Sequence, residues 1–165
     1  MSMIFNLLRV SSEELAAYLD DSSLLEETIY ENGDPDIHLV DIDKSWEGIL
    51  FILTGQNLDK LDHPLGAALF SGQLVDPEQD LGYGPANYLT PEQVRQISGQ
   101  LAAFSAADVK SKFDPVKMTE LSVYPQIWNR QDAEIFDYLL EYFEEVQSFY
   151  QAAAGENQAV ITFLN

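Results

Sequence analysis

The sequence predicts a single α+β domain, residues 1–165, with a small sheet that includes the N- and C-terminal strands. Several helices pack against that sheet, one of them a long C-terminal amphipathic helix. Three observations predict this. Short apolar runs lie at both ends of the chain, at residues 3–10 and 159–164. Helix starts with full capping signatures recur between them. Ahead of the final run, Ile135, Phe136, Leu139, Leu140, Phe143, Val146 and Tyr150 keep helical spacing for about six turns.

In chain order, residues 3–10 read as a strand buried on at least one face. Ser11-Ser12-Glu13-Glu14 is a capping box, with the Ser11 hydroxyl accepting from the Glu14 backbone N–H while the Glu14 carboxylate reaches back. Ser23-Leu24-Leu25-Glu26 repeats the pattern, so two short helices are expected between Ser12 and Tyr30. Asn32-Gly33-Asp34-Pro35-Asp36 is turn chemistry. Residues 46–53 are apolar nearly all round a helix, which places that helix in the interior, with Gly55 to end it. Residues 56–86 are rich in loops. Thr90-Pro91-Glu92-Gln93 has an N-cap Thr, Pro at the first helical position and Gln closing the box. Val94, Ile97, Leu101 and Phe104 mark one face of the helix that follows. A short capped helix is expected over 105–113, then an irregular or extended stretch over 114–125 in which Leu121-Ser122-Val123-Tyr124 reads as a strand. The final helix starts at Asp132 and stops at Gly155. Its Glu141, Glu144 and Glu145 face solvent, and residues 159–164 pair with 3–10.

Composition narrows the function. Among 165 residues, 8 Lys+Arg stand against 28 Asp+Glu, a formal charge of −20. Such a chain repels a polyanion, which excludes unassisted nucleic-acid binding. Two Trp, eight Tyr and nine Phe are too many for a disordered acidic tail. With no Cys there is no disulfide, thiolate metal site or cysteine nucleophile. The first residues carry no signal-peptide pattern, and no charge-free stretch approaches the roughly 18 apolar residues of a membrane span. A cytoplasmic protein is expected.

Three groups of landmarks carry a resemblance. The first is Leu39-Val40-Asp41-Ile42-Asp43-Lys44-Ser45-Trp46-Glu47 through Leu53-Thr54-Gly55. The second is Gly82-Tyr83-Gly84-Pro85 followed by Tyr88-Leu89-Thr90-Pro91-Glu92-Gln93-Val94. The third is Val123-Tyr124-Pro125 with Ile127-Trp128. Together with the Met3-Ile4 start, they resemble the YfbM-like family of small uncharacterised bacterial proteins over nearly the whole chain. Members commonly carry Arg where this chain has Asn87, and Gly-Gly where it has Ser71-Gly72. The resemblance implies an α+β fold and a bacterial cytoplasmic setting, and it implies no activity.

Several constellations have both a chemical and a structural reading. On a strand, Asp41 and Asp43 would share a face, a geometry usable for acid–base work or a hard metal. The favoured reading makes Asp43 a cap of the Trp46 helix, with Asp41 accepting a backbone or Lys44 hydrogen bond. Asp76-Pro77-Glu78-Gln79-Asp80 opens like a calcium loop but has Leu81 at its sixth position and Asn87 at its twelfth, so a solvated acidic loop is preferred. His38 and His63, the only histidines, lack partners for zinc; no metal or cofactor is expected. The segment from Gly82 to Tyr88 fails as a dinucleotide fingerprint, yet it presents Tyr83, Gly84 and Tyr88 as a rigid pocket wall beside a helix start. Tyr124, Pro125 and Trp128 read first as core. Ser122, His38 and Asp41 assemble a hydrolase triad on paper, but no nucleophile elbow exists.

Acids are uneven. Residues 11–47 hold 12 acids and one base, and residues 132–156 hold seven acids and none. The basic cluster is Lys110, Lys112 and Lys117. If the acidic helices adjoin, the charge forms one face. Two functions compete. The favoured one is a non-catalytic interaction module whose acidic helical surface docks a basic protein partner, with no direct nucleic-acid or membrane contact. The alternative is a small-molecule binder or enzyme, with a pocket between the Gly82–Tyr88 loop, Asp41/Asp43 and Tyr124/Trp128.

Overall fold

The computed structural model describes residues 2–31 and 37–165. The turn expected at Asn32-Gly33-Asp34-Pro35-Asp36 lies outside them. In order, the described elements are β1 (Phe5–Val10), α1 (Ser12–Asp20), α2 (Ser23–Tyr30), β2 (His38–Asp41), α3 (Trp46–Thr54), β3 (Asn87–Leu89), α4 (Pro91–Leu101), α5 (Ala106–Lys112), α6 (Pro115–Glu120), α7 (Ala133–Gly155) and β4 (Ala159–Leu164). Short 3₁₀ turns lie at Asp43–Ser45, Leu58–Lys60 and Pro64–Ala68.

The two terminal strands pair antiparallel at the centre of the sheet, Phe5 opposite Leu164 and Val10 opposite Ala159. β2 flanks β1 and β3 flanks β4, giving the order β2-β1-β4-β3, antiparallel throughout. Because successive side chains alternate across a strand, this sheet feeds two cores. Leu8, Val10, Ala159, Ile161 and Phe163 meet Leu15, Tyr18 and Leu25 of α1 and α2, with Val75, Leu81 and Ala86 of the long loop. Phe5, Leu7 and Val160 meet α3, α4 and α7 on the opposite face. The sheet is therefore a middle layer, and the two acidic helical segments lie on opposite sides of it. The condition for one continuous acidic face is not met, and the strand period gives the reason: β1 and β4 are apolar on both faces, so helices must cover both.

The capping signatures place their helices. Ser11 with Glu14, Thr90 with Gln93 and Ser105 with Asp108 each form a reciprocal box. The box expected at Ser23 does not form. Ser23 is the first helical residue, and both its N–H and its hydroxyl donate to Asp21 Oδ1, at 3.1 and 2.6 Å. The preceding Ser22 hydroxyl is drawn away to Asp76 Oδ2 at 2.7 Å. All of Trp46–Leu53 in α3 is buried, and Gly55 ends it at φ +73°. The helix α7 begins at an Asp132 cap and buries Leu139, Phe143, Val146 and Tyr150, with Glu141, Glu144 and Glu145 exposed.

The strand expected at Leu121-Ser122-Val123-Tyr124 is a turn. Asp114 caps α6 by accepting the Lys117 N–H at 3.1 Å, with Pro115 in the first helical position. Beyond α6, the Ser122 N–H donates to Thr119 O and the Val123 N–H to Met118 O. The Tyr124 N–H goes to Glu47 Oε1, and Ser122 sits at φ +54° ahead of a cis Tyr124–Pro125 bond. Two of those donors are spent within the turn and the third on distant Glu47, leaving none for a sheet neighbour. No helix among the described residues is long and apolar enough to cross a membrane.

Candidate functional site

Asp41 ends β2, and its Oδ1 accepts the Asp43 N–H at 2.7 Å. This side-chain turn, with Asp43 at φ +54°, throws the chain into the 3₁₀ turn that precedes α3. Asp43 therefore lies beyond the strand that Asp41 ends, and the two carboxylates do not share one of its faces. Asp41 takes the backbone hydrogen bond expected of it, whereas Asp43 is not the cap of α3; that position is Ser45, with no side-chain bond. Instead, Asp43 Oδ2 accepts the Tyr138 hydroxyl of α7 at 2.8 Å.

That bond brings the end of β2 against α7 and gathers charge there. Burial, then the Asp43 hydrogen bond and charge, push the Tyr138 hydroxyl well above its ordinary value. Tyr142, packed edge-on to Tyr138 with ring centroids 5.2 Å apart, is raised by burial and then by Asp43, Asp41, Glu145 and Glu141. The Glu145 carboxyl is raised by partial desolvation, then by Glu141 and Asp41. Four carboxylates thus surround Tyr142, and Glu145 feels two of the others. Among the described residues the one ion pair is Arg9–Glu156, at 3.2 Å, so no base neutralises this cluster by direct contact.

The other expected site residues take separate positions. The Asp80 Oδ1 accepts the N–H groups of both Gly82 and Gly84, at 2.9 and 3.0 Å, which holds its carboxyl below the ordinary value and fixes the loop. Tyr83 is exposed, its hydroxyl 3.5 Å from the Ser2 carbonyl. The Tyr88 carbonyl in β3 accepts from the Ser71 hydroxyl and the Gln73 side-chain amide. The Tyr124 hydroxyl accepts the Met3 N–H at 2.9 Å, and its ring stacks on Trp46, whose Nε1 donates to the Met3 carbonyl at 3.1 Å. Trp128 is core, 1% exposed, donating from Nε1 to Val123 O. Tyr83 and Tyr124 thus both approach the first residues of the chain, while Asp43 faces α7 and Trp128 packs inside.

Asp76 is likewise used internally. It accepts from the Ser22 hydroxyl and then from the Glu78 N–H, and both lower its pKa. Among the described residues no three His, Asp or Glu side chains are grouped to hold a metal. His38 Nδ1 lies 3.3 Å from an Arg9 guanidinium nitrogen, and His63 Nδ1 accepts the Leu65 N–H. No described hydrogen bond links Ser122 with His38 or Asp41.

Two features escaped sequence reasoning. Glu47 is 8% exposed, and its two oxygens accept the backbone N–H groups of Leu58 and Tyr124, at 3.0 and 2.6 Å. The available signal was a lone acid within the apolar run of α3. A cavity of about 330 Å³ also lies between the C-terminal turn of α3, His63 and the α5–α6 junction, where Lys112 and Lys117 meet it. Its signal was the lysine cluster, but Lys110 separates from the other two to sit 5.0 Å over the Phe136 ring.

Compared with known proteins, the chain superposes on the crystal structure of a protein of unknown function, YfbM from Escherichia coli. The TM-score is 0.77 at 17% identity, covering 98% of this chain and 99% of that one. The likeness extends the landmark resemblance to the whole fold and says nothing of chemistry. No curated protein sequence matches. The family model described as a domain of unknown function, DUF1877, matches residues 1–163, and the chain belongs to that family.

Proposed function

We propose that this protein is a non-catalytic binding module of the bacterial cytosol, docking a basic protein partner on an acidic surface. The observation that carries the reading is the junction of β2 with α7. There Asp41, Asp43, Glu141 and Glu145 all lie within Coulomb reach of Tyr142, Glu141 and Asp41 also act on Glu145, and no described base is paired with them. Like charges held together raise the local potential, and a cationic partner would relieve it while being steered to the site. Tyr138 and Tyr142 add amphipathic area of the kind that anchors interfaces. The alternative, a ligand pocket among the Gly82–Tyr88 loop, Asp41/Asp43 and Tyr124/Trp128, has less support, because Tyr83 and Tyr124 approach the chain's own first residues and Trp128 packs in the core.

A photo-crosslinking residue at Glu141, with a second at Glu92 on α4 as control, tests the reading in cell extract. The expected product is a basic protein joined at 141 but not at 92. It should be lost in about 0.5 M salt, where the Debye length shrinks to roughly 4 Å, and lost when Glu145→Lys is added to the protein carrying the crosslinker at 141. Equal capture at both positions, or capture indifferent to salt and to charge reversal, overturns it.

A further inference from the structure

We propose that the cavity between α3 and the α5–α6 junction binds a small phosphorylated polyol of the sugar-phosphate class. One wall is the end of α3. The last carbonyls of a helix have no partner within it. Here Gly55 N–H returns to Phe51 O, while among the described residues nothing donates to the carbonyls of Ile52, Leu53 or Thr54. Residues 51–55 line the cavity, so the end of α3 that carries these unpaired acceptors borders it. They sit at the negative end of the helix dipole, which suits hydroxyl donors and disfavours a bare anion in contact.

The rest of the lining is cationic. Lys112 and Lys117 line the cavity and make no ion pair or hydrogen bond through their ammonium groups among the described residues, a local reversal of charge on a chain of net −20. His63 adds a donor: its Nδ1 already accepts the Leu65 N–H, so the neutral ring carries its proton on Nε2. The one carboxyl in the lining, Asp114, is engaged by the Lys117 backbone N–H. Two ammonium groups and an imidazole N–H supply donors for the outer oxygens of a phosphate monoester, while the α3 carbonyls suit the hydroxyls of its carbon skeleton. The volume, about 330 Å³, lies at the small end of ligand pockets.

The test is a ¹H–¹⁵N NMR titration of the whole chain with glucose 6-phosphate, and in parallel with inorganic phosphate and with glucose. Glucose 6-phosphate should shift the amides of residues 51–55, 111, 112 and 117 saturably. Its affinity should exceed that of either fragment by about tenfold or more, and Lys112→Ala/Lys117→Ala should weaken it by a similar factor. Both lysines are exposed, so the variant is expected to keep its fold, which the remaining amide resonances report. No saturable shift at those residues, affinity for inorganic phosphate equal to that for glucose 6-phosphate, or an unaffected double variant overturns the proposal.

Discussion

Glu47 ties together two segments that have no other regular structure in common, the 3₁₀ turn at Leu58 and the turn at Tyr124. Each backbone N–H it accepts would be left without a partner if the side chain were removed, at a cost of roughly 1–3 kcal/mol per buried donor. Glu47→Ala should therefore destabilise the fold by about 3 kcal/mol, and Glu47→Gln, which keeps one acceptor oxygen, by less. The urea midpoint at constant m-value checks both; a midpoint unchanged in Glu47→Ala would mean that water takes over both donors. At Glu145 the sign is opposite. Its carboxyl is raised above the ordinary 4.5 by desolvation, Glu141 and Asp41, so the native state binds the proton more tightly than the unfolded chain does. Its contribution to stability is full below 4.5 and is lost as pH rises through the raised value. Glu145→Gln should then raise Tm at pH 7 and leave it nearly unchanged at pH 4. A gain of equal size at both pH values would assign the effect to something other than charge.

Helix α3 shows what an element gains and loses by complete burial. A Cβ built at Gly48 would stand 2.7 Å from the Trp128 ring and 3.0 Å from Leu139 Cδ1. Alanine favours a helix over glycine by about 1 kcal/mol, but overpacking against a rigid indole costs roughly 1–3 kcal/mol. Gly48→Ala is expected to lower Tm, and a rise would show that α3 can move away from Trp128. The helix starts were legible because a cap is local: Ser11, Thr90 and Ser105 each bond a residue three positions along. Where a distant residue competes, local reading failed. Asp76, 54 positions away, takes the Ser22 hydroxyl, and Glu47, 77 positions away, takes the Tyr124 N–H that a strand would have needed.

Across the whole molecule, 28 acids and one described ion pair make self-repulsion the dominant electrostatic term. Added NaCl between about 0.01 and 0.15 M should raise Tm, because the Debye length shrinks from roughly 30 to 8 Å over that range; a fall would imply attractive pairs not evident in the fold. The sequence by itself determined the charge, the absence of cysteine chemistry, the pairing of the terminal strands and the long final helix. The first two are counts, the helix is a periodicity sustained over about six turns, and the pairing follows from apolar runs at both ends of the chain. Only the tertiary structure decided where the charge lies. The sheet is apolar on both faces, so it separates α1 and α2 from α7, and the acidic cluster arises instead where Asp43 at the end of β2 meets Tyr138, 95 residues later. Likewise the free carbonyls of α3 and the lysines of α5 and α6 share a cavity only because the chain folds them together. Coulomb and hydrogen-bond energies fall off with distance in space, and separation along the chain does not reveal that distance.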